Sequence, residues 1–264
     1  MQSFGYHDPS TVARATGTAK EMADGKYLAG GQSLLATMKL GLATPSDLID
    51  LAYVPDLRGI KVEGNAVTIG AMARHAEVAA SPEVASRIPA LASLAGMIGD
   101  RQVRNRGTLG GSLANDDPAA DYPAAVLGLG ATVNTDRRQV AADEFFKGLF
   151  ETALAPGELI VSATFPVPKR AAYQKFKNPA SRFAIAGVFV AQTAQGVRVA
   201  VTGAGNRGVF RVKAMEQALA REWSAKAIES VSVPASDLQS DLHASAEYRA
   251  HLVNVLARRA VAAA

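Results

Sequence analysis

The chain has 264 residues, of which 48% are hydrophobic and 20% are charged, with a formal net charge of +4 and no cysteine. This size and composition predict a folded protein of one large or two to three small units, and the lack of cysteine excludes disulfides, thiolate nucleophiles and cysteine-ligated iron–sulfur clusters. Because the basic residues are dispersed, we expect no binding to nucleic acid. No run of about 18 apolar residues occurs, so we expect no membrane span. The N-terminus does not resemble a signal peptide, and we therefore expect a cytoplasmic protein.

The first segment of the chain is predicted to contain short strands and helices. Phe4 and Tyr6 alternate as in a strand, and Asp8 or Ser10 is expected to cap the helix that follows. The further predicted elements are a strand at 27–29, a helix to about residue 40 and a strand at 48–51.

The middle of the chain begins with a predicted hairpin at residues 59–70. Apolar and polar residues alternate on both sides of a turn at Gly64 and Asn65. Pro166 and Pro168 end a further strand. The predicted elements are helical segments at 76–80, 84–88 and 90–98 and strands at 131–134 and 159–165.

The last part of the chain contains strands followed by helices. The strands are predicted at 173–177, 184–192 and 196–202, and the helices at 212–220 and 246–260. Because these elements do not alternate as strand, helix, strand, the sequence predicts an α+β fold.

Two glycine-rich segments are the strongest candidates for a binding site. Residues 104–121 contain three glycines within five residues, with hydroxyls at Thr108 and Ser112. Residues 29–35 repeat the pattern of paired glycines followed by a hydroxyl and a helix. Glycine permits positive φ and a close approach to a ligand, and successive amides hold anions. Two such loops converging on a diphosphate are therefore one interpretation, and a tight turn between strands is the alternative for either loop alone.

At these segments the chain resembles the FAD-binding medium subunit of the molybdenum hydroxylases, which include aerobic carbon monoxide dehydrogenase and xanthine dehydrogenase. The resemblance rests on residues 29–35 with Met38 and Lys39, on residues 102–112 with the acids at 117 and 121, and on residues 240–249. It covers nearly the whole chain. Gly31, Gln32 and Ser33 stand where a more distant branch has Asn-Thr-Glu, which places the chain nearer the carbon monoxide dehydrogenase branch.

The resemblance implies a particular fold. It is an α+β, two-subdomain FAD-binding fold of the vanillyl-alcohol oxidase (PCMH) type, followed by a C-terminal domain with a three-stranded antiparallel sheet and helices. The implied boundaries are 1–55 and 56–167 for the FAD-binding subdomains and 168–264 for the C-terminal domain.

The resemblance also implies a function. The chain would hold FAD non-covalently and pass electrons from two [2Fe–2S] clusters on a small subunit to an external acceptor, while a large subunit carries the molybdenum cofactor. A dimer of heterotrimers is the implied assembly. No catalytic residue and no metal site are expected in this chain. Two alternatives remain, namely a stand-alone flavin oxidase of the same superfamily and a non-enzymatic scaffold.

The resemblance assigns the cofactor-binding residues. They are Ala29, Gly30, Gly31, Gln32, Ser33, Leu34, Thr108, Gly110, Gly111, Ser112, Asn115, Asp121, Ile160 and Lys177. The first six would hold the diphosphate and ribityl region through backbone amides, and the four at 108–112 would do so from the other side. Asn115 and Asp121 would bind the ribityl chain or the flavin ring, and Ile160 would lie at an edge of the cofactor. Lys177 would lie near the ring, with Lys175 as the alternative.

Other polar residues have simpler interpretations. The acids at 116, 117 and 121 are typical of solvated loops, and His75 is expected to be structural because metal sites need several convergent ligands. The basic trio beside the second segment is formed by Arg101, Arg104 and Arg106, and a role for it at the site is worth testing.

One further motif fits a nucleotide-binding pattern. Gly203, Gly205 and Gly208 match G-x-G-x-x-G after a strand and before a helix. That fingerprint has its meaning only inside a parallel βαβ unit, whereas the strand here is one arm of a hairpin. We therefore favour a turn over a nicotinamide-dependent dehydrogenase.

Overall fold

A small parallel sheet opens the fold in a computed structural model that describes residues 2–264. Its strands are β1 (Gly5–His7), β2 (Gly25–Leu28) and β3 (Asp47–Asp50), in the order β1–β3–β2. Its helices are α1 (Val12–Glu21) and α2 (Leu34–Lys39). The cap of α1 differs from the prediction, because the hydroxyl of Thr11 accepts from the backbone N–H of Arg14 at 3.2 Å.

The second part of the fold is a five-stranded antiparallel sheet in the order β4–β5–β10–β6–β7. These strands are β4 (Ile60–Glu63), β5 (Ala66–Gly70), β6 (Thr132–Thr135), β7 (Gln139–Ala141) and β10 (Ile160–Pro166). The predicted hairpin at 59–70 is confirmed as β4 and β5. A small separate hairpin is formed by β8 (Phe146–Gly148) and β9 (Glu151–Thr152).

Short helices pack on this sheet and enclose the largest apolar core. They are α3 (His75–Ala80), α4 (Pro82–Arg87), α5 (Pro89–Gly96), α6 (Arg101–Arg106), α7 (Leu109–Asn115), α8 (Tyr122–Leu129) and α9 (Ala142–Phe145). The predicted helical segments correspond to α3, α4 and α5. Helices α6 and α7 occupy residues that the sequence had suggested were a glycine-rich loop.

The C-terminal part is an antiparallel sheet with helices. Its strands follow in the order β11 (Arg170–Lys177), β12 (Ala184–Thr193), β13 (Gly196–Thr202) and β14 (Phe210–Arg211), and its helices are α10 (Lys213–Arg221) and α11 (Ala246–Ala263). The two-residue strand β14 adds a fourth member to the three strands expected. The G-x-G-x-x-G segment is the turn between antiparallel strands β13 and β14, as predicted, with φ of 79° at Gly203 and 90° at Gly208.

Hydrogen bonds tie the C-terminal sheet to the middle part around helix α8. Arg198 on β13 donates through Nε to the carbonyl of Leu127 at 2.6 Å and through Nη2 to Asp143 at 2.7 Å. The hydroxyl of Thr202 donates to the carbonyl of Ala120 at 2.6 Å. The C-terminal sheet is thereby fixed beside α8, both just before its start and near its end. No helix within residues 2–264 is long and apolar enough to cross a membrane.

Candidate functional site

A cavity of about 610 Å³ lies between the first two parts of the fold, and both glycine-rich segments line it. Residues 181–183 of the C-terminal part close one side. This volume lies within the range of pockets that enclose an organic cofactor. The two segments that the sequence singled out therefore meet at one site.

The first segment connects strand β2 to helix α2 and leaves its amides free. Gly31 has φ of 71°, and a Cβ there would lie 2.8 Å from Leu35 Cδ1, so only glycine fits without strain. Within residues 2–264, the backbone N–H groups of Gln32, Ser33 and Leu34 donate no hydrogen bond to the chain. Backbone N–H groups that have no acceptor at the start of a helix can bind an anion.

The second segment is helical, and its amides are already used. Gly110 N–H donates to the carbonyl of Ala71 at 2.8 Å, and Leu109 N–H donates to that of Ala73 at 3.0 Å. Gly111 N–H donates to the capping hydroxyl of Thr108 at 3.2 Å. Positive φ, which glycine permits, is not used at this pair, since only Gly31 among the glycines of the two pairs has it. Gly110 is needed because a Cβ would collide with Ala71.

Because its amides are already bonded, the second segment has few backbone donors for a ligand. The amides of Gly110, Gly111 and Ser112 all bond within the chain, so the segment contributes a close-approach surface and a serine hydroxyl instead. The free amides of the site come from the first segment.

All but one of the predicted cofactor residues line the cavity. Those that do are Ala29, Gly30, Gly31, Gln32, Ser33, Leu34, Thr108, Gly110, Gly111, Ser112, Asn115, Asp121 and Ile160. Lys177 lies outside the lining and is exposed, beyond a register shift in β11 between Phe176 and Lys177. The alternative, Lys175, is buried and contacts Asp121. Lys175 does not line the cavity either, but it contacts Asp121, which does.

The cavity wall includes a buried carboxylate, that of Asp121. Asp121 accepts hydrogen bonds from Tyr173 Oη at 2.6 Å and from Lys175 Nζ at 2.9 Å. Burial raises the pKa of Asp121, while the charge and the hydrogen bond of Lys175 act to lower it. The expectation of solvated acids is wrong for Asp121 and for Asp116, which are 3% and 2% exposed.

Asp116 is held in a left-handed conformation at the end of helix α7, with φ of 43°. Its Oδ2 is buried without a partner within residues 2–264, and burial, with the nearby charge of Asp117, raises its pKa to about 7. The basic trio does not line the cavity. One member, Arg104, donates to the carbonyls of Ile98 and Gly99.

Several lining residues were not predicted. Tyr27 donates through Oη to the carbonyl of Gly157 at 3.0 Å, which joins the first strand group to the turn before β10. Glu158 has its pKa lowered to about 2, chiefly by hydrogen bonds from Arg138. His75 also lines the cavity, and its burial lowers its pKa to about 4. The partners of Tyr27 and Glu158 lie far away in the chain, so local patterns carried no signal for them.

The residues present fit a dinucleotide cofactor with a diphosphate. Free amides, the glycine cradle at Gly31 and the serine hydroxyls at 33 and 112 suit the anionic centre. The lining also includes the apolar side chains of Met72 and Ile160 and the buried carboxylate of Asp121, which suit the ring and hydroxyl groups of such a cofactor.

Comparison with known proteins shows the family of the chain. Residues 2–168 match the family described as the FAD binding domain in molybdopterin dehydrogenase. The chain belongs to this family. Residues 171–264 match the CO dehydrogenase flavoprotein C-terminal domain. The chain is thus an FAD-binding medium subunit of the molybdenum hydroxylase type, and the proposed α+β FAD-binding fold is confirmed.

Relatives match along their whole length. The carbon monoxide dehydrogenase medium chain of Hydrogenophaga pseudoflava is 35% identical, with 99% of this chain and 96% of the relative covered. The nicotine 6-hydroxylase medium subunit of Paenarthrobacter nicotinovorans is 38% identical over 99% of this chain and 97% of the relative. The structure of quinoline 2-oxidoreductase from Pseudomonas putida 86 superposes with a TM-score of 0.89 at 28% identity, covering 100% of this chain and 97% of the other.

Proposed function

We propose that this chain carries FAD as the electron-transfer subunit of a molybdenum hydroxylase complex. The main observation in support is that residues 29–34 and 108–112 line one cavity. The backbone N–H groups of Gln32, Ser33 and Leu34 donate no hydrogen bond within residues 2–264 and are free to bind a ligand. The free amides of the first segment and the serine hydroxyl of the second would hold a diphosphate from two sides.

Each part of FAD can be assigned to particular residues of the cavity. The amides of residues 32–34 would bind the diphosphate, and the close-packed surface of Gly110 and Gly111 would let it approach helix α7. Asn115 and Asp121 would bind the ribityl chain or the ring, with Lys175 supporting Asp121, and Ile160 would contact a cofactor edge. The bound FAD would supply the redox chemistry, and the protein would supply orientation and electrostatics.

Electrons must reach this flavin from outside the chain. The sequence has no cysteine, so iron–sulfur clusters with cysteine ligands must lie on another subunit. We propose two [2Fe–2S] clusters on a small subunit, a molybdenum cofactor on a large one, and an external acceptor for the electrons. The relatives are named for carbon monoxide, nicotine, glyceraldehyde and caffeine dehydrogenation or hydroxylation, which supports substrate recognition by the partner rather than by this subunit.

The finer organisation is also part of the proposal. We propose subdomains at 1–55 and 56–167, a C-terminal domain at 168–264, a dimer of heterotrimers, and a cytoplasmic location. The four sheets support the domain division, since β1–β3 lie within 1–55, β4–β10 within 56–167 and β11–β14 within 168–264, and no strand pairing crosses these boundaries among residues 2–264.

The experiment is an anaerobic reduction assay on the isolated chain loaded with FAD. Carbon monoxide, purines and aldehydes should leave the flavin oxidised, whereas chemical reduction should bleach it and an artificial acceptor should restore its colour. Adding the iron–sulfur and molybdenum subunits should enable reduction by the substrate of the complex. If substrate alone bleached the flavin of the isolated chain at the rate of the native complex, the stand-alone oxidase would replace this proposal.

A further inference from the structure

Two side chains of strand β11 reach toward the cavity but do not line it. Tyr173 Oη donates to Asp121 Oδ1 at 2.6 Å, and Lys175 Nζ donates to Asp121 Oδ2 at 2.9 Å and to the carbonyl of Met97 at 3.2 Å. Tyr173 is 4% exposed, and the side chains of Lys175 and Asp121 are 1% and 3% exposed. Of these three side chains, only that of Asp121 belongs to the cavity wall.

The neighbouring strand leaves room for this arrangement. Gly187 on β12 lies opposite Lys175, and a Cβ at Gly187 would overlap the hydroxyl of Tyr173 and lie 3.0 Å from Thr202 Cγ2. Gly187 does not have positive φ, so its backbone conformation does not require glycine. The missing side chain is what allows the tyrosine hydroxyl to reach Asp121.

We propose that Tyr173 is a positioning residue that, with Lys175, sets the orientation and charge of Asp121 and thereby the relative affinity of the site for oxidised and reduced FAD. The inference rests on the proposed function and deepens it. The C-terminal domain would then control the cofactor through a carboxylate that belongs to the middle domain.

The physical basis is the cost of a buried carboxylate. A charged oxygen without a donor in an apolar site is strongly destabilised, whereas a tyrosine hydroxyl and an ammonium group compensate it. Loss of the Tyr173 donor leaves more of the negative charge of Asp121 uncompensated at the cavity wall. Because a reduced flavin is richer in electrons, the variant site should bind it less well relative to the oxidised form.

The test is potentiometry of Tyr173→Phe loaded with FAD. We expect a threefold to tenfold loss in the relative affinity for reduced FAD, which makes the potential more negative by about 15–30 mV for a two-electron couple. The matched control is Tyr6→Phe, since Tyr6 Oη also donates to an aspartate, Asp50, at 2.7 Å, but is 54% exposed and does not line the cavity. The control should keep the wild-type potential.

A second variant covers the case in which Tyr173→Phe does not retain FAD. Gly187→Ala keeps the Tyr173 hydroxyl, but the added methyl group would occupy the position of that hydroxyl beside Asp121. This variant should therefore also make the potential of the bound FAD more negative. The inference is overturned if the FAD-loaded variants keep the wild-type potential within the scatter of the Tyr6→Phe control. Failure of the wild-type chain to bind FAD would instead overturn the proposed function, so the two outcomes are distinguishable.

Discussion

Gly111 on helix α7 faces Ala29 at the start of the first segment, and a Cβ on Gly111 would lie 3.5 Å from the Cβ of Ala29 and 2.8 Å from Thr108 Oγ1. The two segments therefore lie close together, and the space between them stays open because Gly111 has no side chain.

Gly111→Val should abolish most FAD binding. Its branched side chain would fill this gap and press on the hydroxyl of Thr108, which caps α7. We expect a cost of a few kcal/mol, or on the order of 10² in affinity, measured as the Kd for FAD by flavin fluorescence. The matched control is Gly17→Val in helix α1, where a Cβ would meet no atom within 4 Å. Wild-type affinity in Gly111→Val would show that the segments do not form the diphosphate site.

FAD should be held without a covalent link. The chain has no cysteine, and His75, the histidine that lines the cavity, is buried beside Tyr122, with ring centroids 5.3 Å apart. Acid precipitation should therefore leave yellow FAD in the supernatant, measured by its absorbance. Colour that remained with the pellet would contradict the prediction.

Glu158→Gln should destabilise the chain near neutral pH but not in strong acid. Hydrogen bonds from Arg138 hold the pKa of Glu158 at about 2, below its ordinary value of 4.5, so the stabilisation is present above about pH 4.5 and is lost as the pH falls toward 2. The difference in Tm between wild type and variant should shrink over that window. Glu63→Gln, an exposed change on β4, should show no such trend. A Tm difference that stayed constant from pH 6 to the acid limit would argue against this account of Glu158.

Asp116→Asn should stabilise the chain at alkaline pH. The buried carboxyl has its pKa raised to about 7, so its ionisation opposes folding, and wild-type stability falls as the pH rises from about 4 through 7. Asparagine tolerates the left-handed backbone at this position. The gain in Tm should be larger at pH 8 than at pH 5, with Asp8→Asn on the surface as control. An equal effect at both pH values would show that Asp116 does not titrate in this range.

Elements with strong local patterns were predictable from the sequence. The alternation in residues 59–70 gave the β4–β5 hairpin, and the apolar face of residues 246–260 gave helix α11. The two glycine-rich segments were also found, because two of them occur together with further motifs of the family, although either one alone also fits a tight turn. That both segments line one cavity depends on the tertiary structure, which local sequence patterns do not determine.

The errors share a physical cause, which is tertiary contact overriding local preference. Two adjacent glycines disfavour a helix, yet α7 forms because Leu109 and Gly110 donate hydrogen bonds to Ala73 and Ala71 and pack closely there. The local run of acids indicated a solvated Asp121, although the resemblance placed this residue at the cofactor. Its burial depends on Tyr173 and Lys175, which lie 52 and 54 residues away in the chain. Contacts of that separation leave no trace in a local pattern.

The central claim is that this chain is the FAD subunit of a molybdenum-dependent complex. Its most direct test is purification of the native assembly by a tag on this chain, followed by quantification of FAD, iron and molybdenum in the same fraction. The account predicts that all three co-purify with a large and a small partner subunit, with FAD remaining on this chain after the subunits are separated. Recovery of this chain by itself, with FAD but without iron or molybdenum, would contradict it.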